Sequence, residues 1–147
     1  MAYAQYDPAL VILIVGGSPM SGYADGTFLE VAFDEQQWNK VTGADGRTSR
    51  AKTNNRAGNI TITLQQTSDS NDVLSGFMIA DEATGDGVVP VLVKDNSGRT
   101  LAATSAAWVQ QSPGQEYSKD VENREWVMDC AGIDMFVGGN ASQGGTD

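Results

Sequence analysis

The stretch Asn59–Gln66 carries the cleanest alternation in the sequence: Ile60, Ile62 and Leu64 fall on one side, and Thr61, Thr63 and Gln65 on the other. A period of two marks a strand buried on one face only. Such a strand needs a second layer over its apolar side, so the chain must fold as packed sheets or as a sheet closed on itself. Other runs point the same way. Leu10–Val15 is continuously apolar between Asp7-Pro8 and Gly16-Gly17, which predicts a strand that is central or covered on both sides. Phe28–Phe33 sets Leu29, Val31 and Phe33 against Glu30 and Ala32. Val88–Asp95 and Thr100–Gln110 flank Asn96-Ser97-Gly98, a hairpin turn, and a last strand is expected from Arg124 to Val137.

Helical spacing occurs once. Val73, Leu74, Phe77 and Met78 recur at three-to-four intervals within Thr67–Ala83, with Ser68, Asp69 and Ser70 as caps at the start and Gly85 at the end. The expected fold class is mainly β with one helix, a β-sandwich or barrel with the helix against one side. A chain of 147 residues fits this as one domain, 1–147. Residues 1–9 read as a short, partly ordered arm, and 138–147 as a Gly/Ser-rich flexible tail.

The charge is unevenly placed. Nineteen acids against nine bases give −10, a balance that repels phosphate backbones. Yet Lys40, Arg47, Arg50, Lys52 and Arg56 crowd into 40–56 with Asp45 as the only acid, so that window is +4 and leaves −14 for the rest. The surrounding segment, 34–58, shows no sustained apolar period and reads as a long loop, disordered until it meets a partner. With Trp38 beside five cations on an acidic protein, the loop is expected to dock on a neighbouring copy, where Arg47, Arg50 and Arg56 could fork onto carboxylates. The alternative is a solvated loop.

Catalytic chemistry finds little support. There is no histidine, hence no histidine base, ligand or triad. Cys130 is the only cysteine and lies in an apolar stretch, as a core residue would. Asp69-Ser70-Asn71-Asp72 begins like a calcium loop but lacks the glycine and distal glutamate, so helix capping explains it. Asp81, Glu82 and Asp86 at a helix end and turn read as solvated acids. No catalytic, cofactor or metal residues are assigned. Leu10–Val15 is too short to cross a bilayer, which takes about 20 apolar residues, and no base precedes it. The expectation is a soluble product that does not enter membranes.

Several segments, weak singly but ordered along positions 10–140, resemble a known family. They are Gly22–Phe28, Asn54–Gly58, Thr63–Ser68, Val93–Thr100 and Arg124-Glu125-Trp126. Together they resemble the tail-tube structural proteins of contractile-tailed bacteriophages. The resemblance implies the tube fold shared with type VI secretion inner tubes, a β-sandwich with a flanking helix, and no catalytic residues. It also implies rings of six copies, whose inner sheets join as one barrel and which stack into a hollow tube. The segment at 34–58 then becomes the arm that reaches the adjacent ring, carrying Trp38, Lys40, Arg47, Arg50, Lys52 and Arg56. Glu30 is a candidate bore-facing acid. Implied partners are further copies of the chain and the sheath, baseplate and tape-measure proteins, with DNA passing without specific binding. The implied location is the virion, after assembly in the host cytoplasm. A type VI-like secreted ring and a decoration or tail-tip protein are the alternatives.

Overall fold

The computed structural model describes residues 3–140, together with a short strand at 142–143. In chain order the elements are β1 (Tyr3–Ala4), a single 3-10 turn (Pro8–Leu10), β2 (Val11–Val15), β3 (Ser18–Pro19) and β4 (Leu29–Phe33). There follow β5 (Trp38–Thr42), β6 (Thr48–Lys52), β7 (Gly58–Gln65) and the helix α1 (Ser70–Thr84). The chain ends with β8 (Val89–Asp95), β9 (Leu101–Gln111), β10 (Asn123–Cys130), β11 (Asp134–Phe136) and β12 (Ser142–Gln143). The principal sheet has eight strands in the order β3-β2-β8-β9-β10-β7-β4, with β11 paired to β9 off that path. The strand pairs in it are antiparallel.

β7 is the strand with the cleanest alternation, and it sits where the pattern demands. Ile60, Ile62 and Leu64 are at most 2% exposed, while Thr61 and Thr63 are half-buried on the other face. Leu13 and Val15 from β2, Met128 from β10 and Leu74 from α1 complete the core. The sheet curls around this core, so that Leu29 and Val31 of β4 face Val93 of β8 and Met135 of β11 across a largely apolar cavity of 520 Å³. The result is a sandwich whose two walls are wings of one sheet.

α1 plugs the concave side, as its apolar spacing predicts. Gly85, left-handed at φ 74°, ends it and donates its N–H to Asp81 O. At the other end Asn71 ties three elements together. Its amide donates to Gln65 O and Ser68 O, and its Oδ1 accepts the indole N–H of buried Trp126 at 2.9 Å. A buried indole donor left without a partner would be costly, and Asn71 removes that cost.

Four expectations are revised. β2 is not central: β3 covers only Ile14 and Val15, and Ile12 on the outer face is 36% exposed. Apolarity on both faces here reflects an uncovered outer face. The strand expected over Arg124–Val137 is two strands, because the chain dips between them to bury Ile133 at 1% exposure. Ile133 O accepts from Arg56 Nη2, and its N–H donates to Arg56 O. Segment 34–58 is not a structureless loop but contains the β5–β6 hairpin. The segment from Gly138, expected as a free tail, begins with bonds to the body: Gly138 O and N pair with Thr100 Oγ1, and Gly139 O accepts from Arg99 N. β12 pairs with β1 of the N-terminal arm. The remaining tail positions, 141 and 144–147, lie outside the described residues. Among the described residues no helix is long and apolar enough to cross a membrane.

Candidate assembly interface

The hairpin is built by its turn. Gly43 N donates to Arg47 O at 2.8 Å, Gly46 N donates to Gly43 O, and Gly46 takes φ 84°, which a side chain would strain. Asp45 Oδ1 accepts from Arg47 N, which explains the acid inside a basic window. All ten strand residues of β5 and β6 are exposed, so no face is apolar and the alternation that reveals a strand is missing.

Register then decides which side chains share a face. Trp38 lies opposite Lys52, Lys40 opposite Arg50, and Thr42 opposite Thr48. Opposed residues in an antiparallel pair point the same way, so one face presents Trp38, Lys40, Arg50 and Lys52 while the other holds Asn39, Val41, Ser49 and Ala51. The Arg50 guanidinium lies 3.8 Å from the Trp38 ring centroid, which holds the aromatic ring in a cationic frame. Lys40 facing Arg50 is a like-charge pair, which weakens a two-stranded ribbon. An anionic surface brought against this face would turn that cost into attraction.

Arg56 does not join them. Its guanidinium donates to Ile133 O at 3.0 Å and lies 5.2 Å from the Phe33 ring, at the root of the hairpin. It anchors the arm to the body. Arg47 sits at the turn, where its backbone closes the loop.

Glu30 is exposed on the outer face of β4, paired with Thr61. Across β4, β7 and β10 that face carries Glu30, Thr61, Thr63, Glu125 and Val127, and its described positions include no lysine or arginine. At the β9 margin it ends with Trp108 opposite Asp129. The same outer face changes character at the other wing. There Ile12, Ile14, Leu92, Leu101 and Phe136 form an apolar patch edged by Lys94 and Asp134. Leu101 is 39% and Phe136 54% exposed. A reading of candidate contact residues centred on charge missed this patch. Its signal was present in the unbroken apolarity of Leu10–Val15.

Among the described residues no cluster of His, Cys, Asp and Glu is arranged to hold a metal. Burial is the main cause that raises the Cys130 thiol to about 11, with Asp129 and Asp34 adding to it, the opposite of an activated nucleophile.

Comparison with known proteins fits this architecture. The fold is similar to that of the tube-terminating cap of the anti-feeding prophage, at TM-score 0.64 and 11% identity, over 91% of this chain and 92% of that one. It is also similar to a chain of the sheath-tube complex of the extracellular contractile injection system PVC, in the extended state. There the TM-score is 0.59 and the identity 13%, over 90% of this chain and 91% of that one. In sequence the chain is 30% identical over 123 residues to structural protein ORF10 of Pseudomonas phage KPP10, covering 82% of this chain and 71% of that protein. The family model of the bacteriophage PhiTE tail tube protein matches residues 1–138. The chain therefore belongs to that family of phage tail tube proteins.

Proposed function

We propose that this chain is the repeating subunit of a phage tail tube, closing into rings, hexameric as the family resemblance implies, that stack into a hollow conduit for DNA inside a contractile sheath. The observation that carries this reading is the family match across residues 1–138, and three surfaces support it. The apolar patch of Ile12, Leu101 and Phe136, on the wing that ends with the short edge strand β3 and with β11, suits side-by-side contact between copies. The cationic face of the β5–β6 hairpin suits contact with an acidic neighbour along the tube axis. The base-free face carrying Glu30 and Glu125 suits a bore through which DNA slides without sticking.

In this reading Trp38, Lys40, Arg50 and Lys52 make the stacking contact, while Arg47 shapes the turn and Arg56 sets the direction of the arm. Sheath, baseplate and tape-measure proteins are the further partners. The location is the virion, following assembly in the host cytoplasm. A terminating ring at the end of such a tube is the second reading. What supports it is that the fold is shared with the tube-terminating cap of the anti-feeding prophage as well as with a chain of a sheath-tube complex.

Negative-stain microscopy of the purified protein tests both. Tubes of indefinite length support the repeating subunit, and isolated rings support the terminator. Monomers at millimolar protein and low salt would defeat the two together. The triple reversal Lys40→Glu, Arg50→Glu, Lys52→Glu should leave the far-UV spectrum unchanged and abolish tubes. Tubes of normal length from that variant would remove the stacking role of the hairpin.

A further inference from the structure

We propose that the depression between the C-terminal turn of α1 and the end of β9 receives the cationic hairpin face of a second copy of this chain. This rests on the stacking role of the hairpin and names the surface it lands on.

The depression, of 770 Å³, exists because β9 overruns its neighbour. β8 begins at Val89, opposite Ala107, so from Trp108 to Gln111 the strand has no β8 partner on that side. Met78, Asp81 and Glu82 of α1 form one wall, and Trp108, Gln110 and Asp129 the other. Three carboxylates thus line one concavity, and no lysine or arginine is among its lining residues. Two of them have neutral local partners: Asp81 Oδ1 accepts from Gly87 N, and Asp129 Oδ1 from Gln110 Nε2, each at 3.3 Å. These bonds hold the carboxylates in place without cancelling their charge.

The helix adds to the imbalance. The C-terminus of a helix carries partial negative charge and favours cations, but the last turn of α1 has no basic residue and instead carries Asp81 and Glu82. Both sides are therefore unfavourable alone and opposite in sign. The hairpin sets Lys40 against Arg50, and the groove gathers acids at a negative helix end. One contact relieves both. The apolar groups match as well, since Trp108 and Met78 on the two walls can meet Trp38 and the alkyl stems of Lys40 and Lys52.

Among the concavities this groove holds the most carboxylates, three beside a helix C-terminus, where two others hold two each, Glu116 with Glu125 and Glu30 with Glu125. The one beside the start of α1 contains Arg124, which would repel the hairpin. The cavity between β4 and β11 is largely apolar, with Asp95 its single charged residue. A second copy satisfies the match, because the complementary face of Trp38, Lys40, Arg50 and Lys52 is this chain's own.

Charge exchange in the full chain tests the assignment. Glu82→Lys with Asp129→Lys should raise the critical concentration for tubes about tenfold or more, the scale of lost interfacial charge pairs. Adding Lys40→Glu, Arg50→Glu and Lys52→Glu to that variant should bring tubes back. Should hairpin reversal block tubes while groove reversal does not, or should the combined variant fail to recover, the landing site is wrong and the stacking role stands. Should hairpin reversal leave tubes intact, both fall.

A cysteine pair gives a readout independent of the charge variants' folding. Lys40→Cys with Glu82→Cys should yield a disulfide ladder of multimers under mild oxidation, whereas Lys40→Cys with Glu30→Cys should not. Native Cys130, 2% exposed, stays out of the reaction. Tubes from the first pair with no ladder would overturn the proposal, and a wild-type chain that never assembles would overturn it too.

Discussion

Cys130 closes β10 against the core, opposite Gly58 on one side and Ala107 on the other. Its thiol is raised to about 11, first by burial and then by Asp129 and Asp34. Because the folded value lies above the usual one of 9.0, this group contributes stability that is whole below pH 9 and is lost as pH rises through 11. Burial raises Tyr23 as well, so the alkaline limb has two contributors acting in the same direction. We expect the melting temperature to fall between pH 9 and 11, with a shallower slope in Cys130→Ala, as thermal scans across that range would reveal. An unchanged slope would remove Cys130 from the account. The sequence already pointed to a core cysteine, because Val127, Met128 and Ala131 around it are apolar despite Asp129. The role of Arg56 was not legible, because what separates it from Arg47 and Arg50 is Ile133, 77 residues away in the chain.

Strands were legible in proportion to how unequal their faces are. β7 has one dry face and one polar face and declared itself. β5 and β6 have two wet faces, so periodicity had nothing to register, although the Gly43-Ala44-Asp45-Gly46 turn was in view. Loop composition alone therefore understated the order of the arm. Its register makes a prediction at this scale. Arg50→Glu exchanges the stacked Trp38–Arg50 pair, worth about 0.5–1 kcal/mol when exposed, for an opposite-charge pair with Lys40, worth roughly 0.2–1 kcal/mol. The two changes nearly cancel, so urea unfolding should shift by less than ~1 kcal/mol while stacking weakens. A large loss of monomer stability would mean that the cationic face serves folding rather than docking.

At the scale of the molecule, two kinds of contact surface sit on different parts of the fold, and they respond to salt in opposite ways. The wing bearing Ile12, Leu101 and Phe136 is apolar, and its contacts hold or strengthen as salt rises. The hairpin face and the acidic groove are charged, and exposed charges are screened over about 10 Å at 0.1 M salt and about 3 Å at 1 M. Stacking should therefore fail before ring closure. Raising salt from ~0.05 to ~1 M on preformed assemblies should convert tubes into rings without passing through monomers, a change that sedimentation velocity and microscopy resolve. The net charge of −10 works in the opposite sense, because salt also screens the repulsion between like-charged rings, so tubes are lost only if the contact through the cationic arm outweighs that repulsion. If salt instead released monomers directly from intact tubes, the sideways contact would be the electrostatic one. The apolar patch would then have to serve another partner.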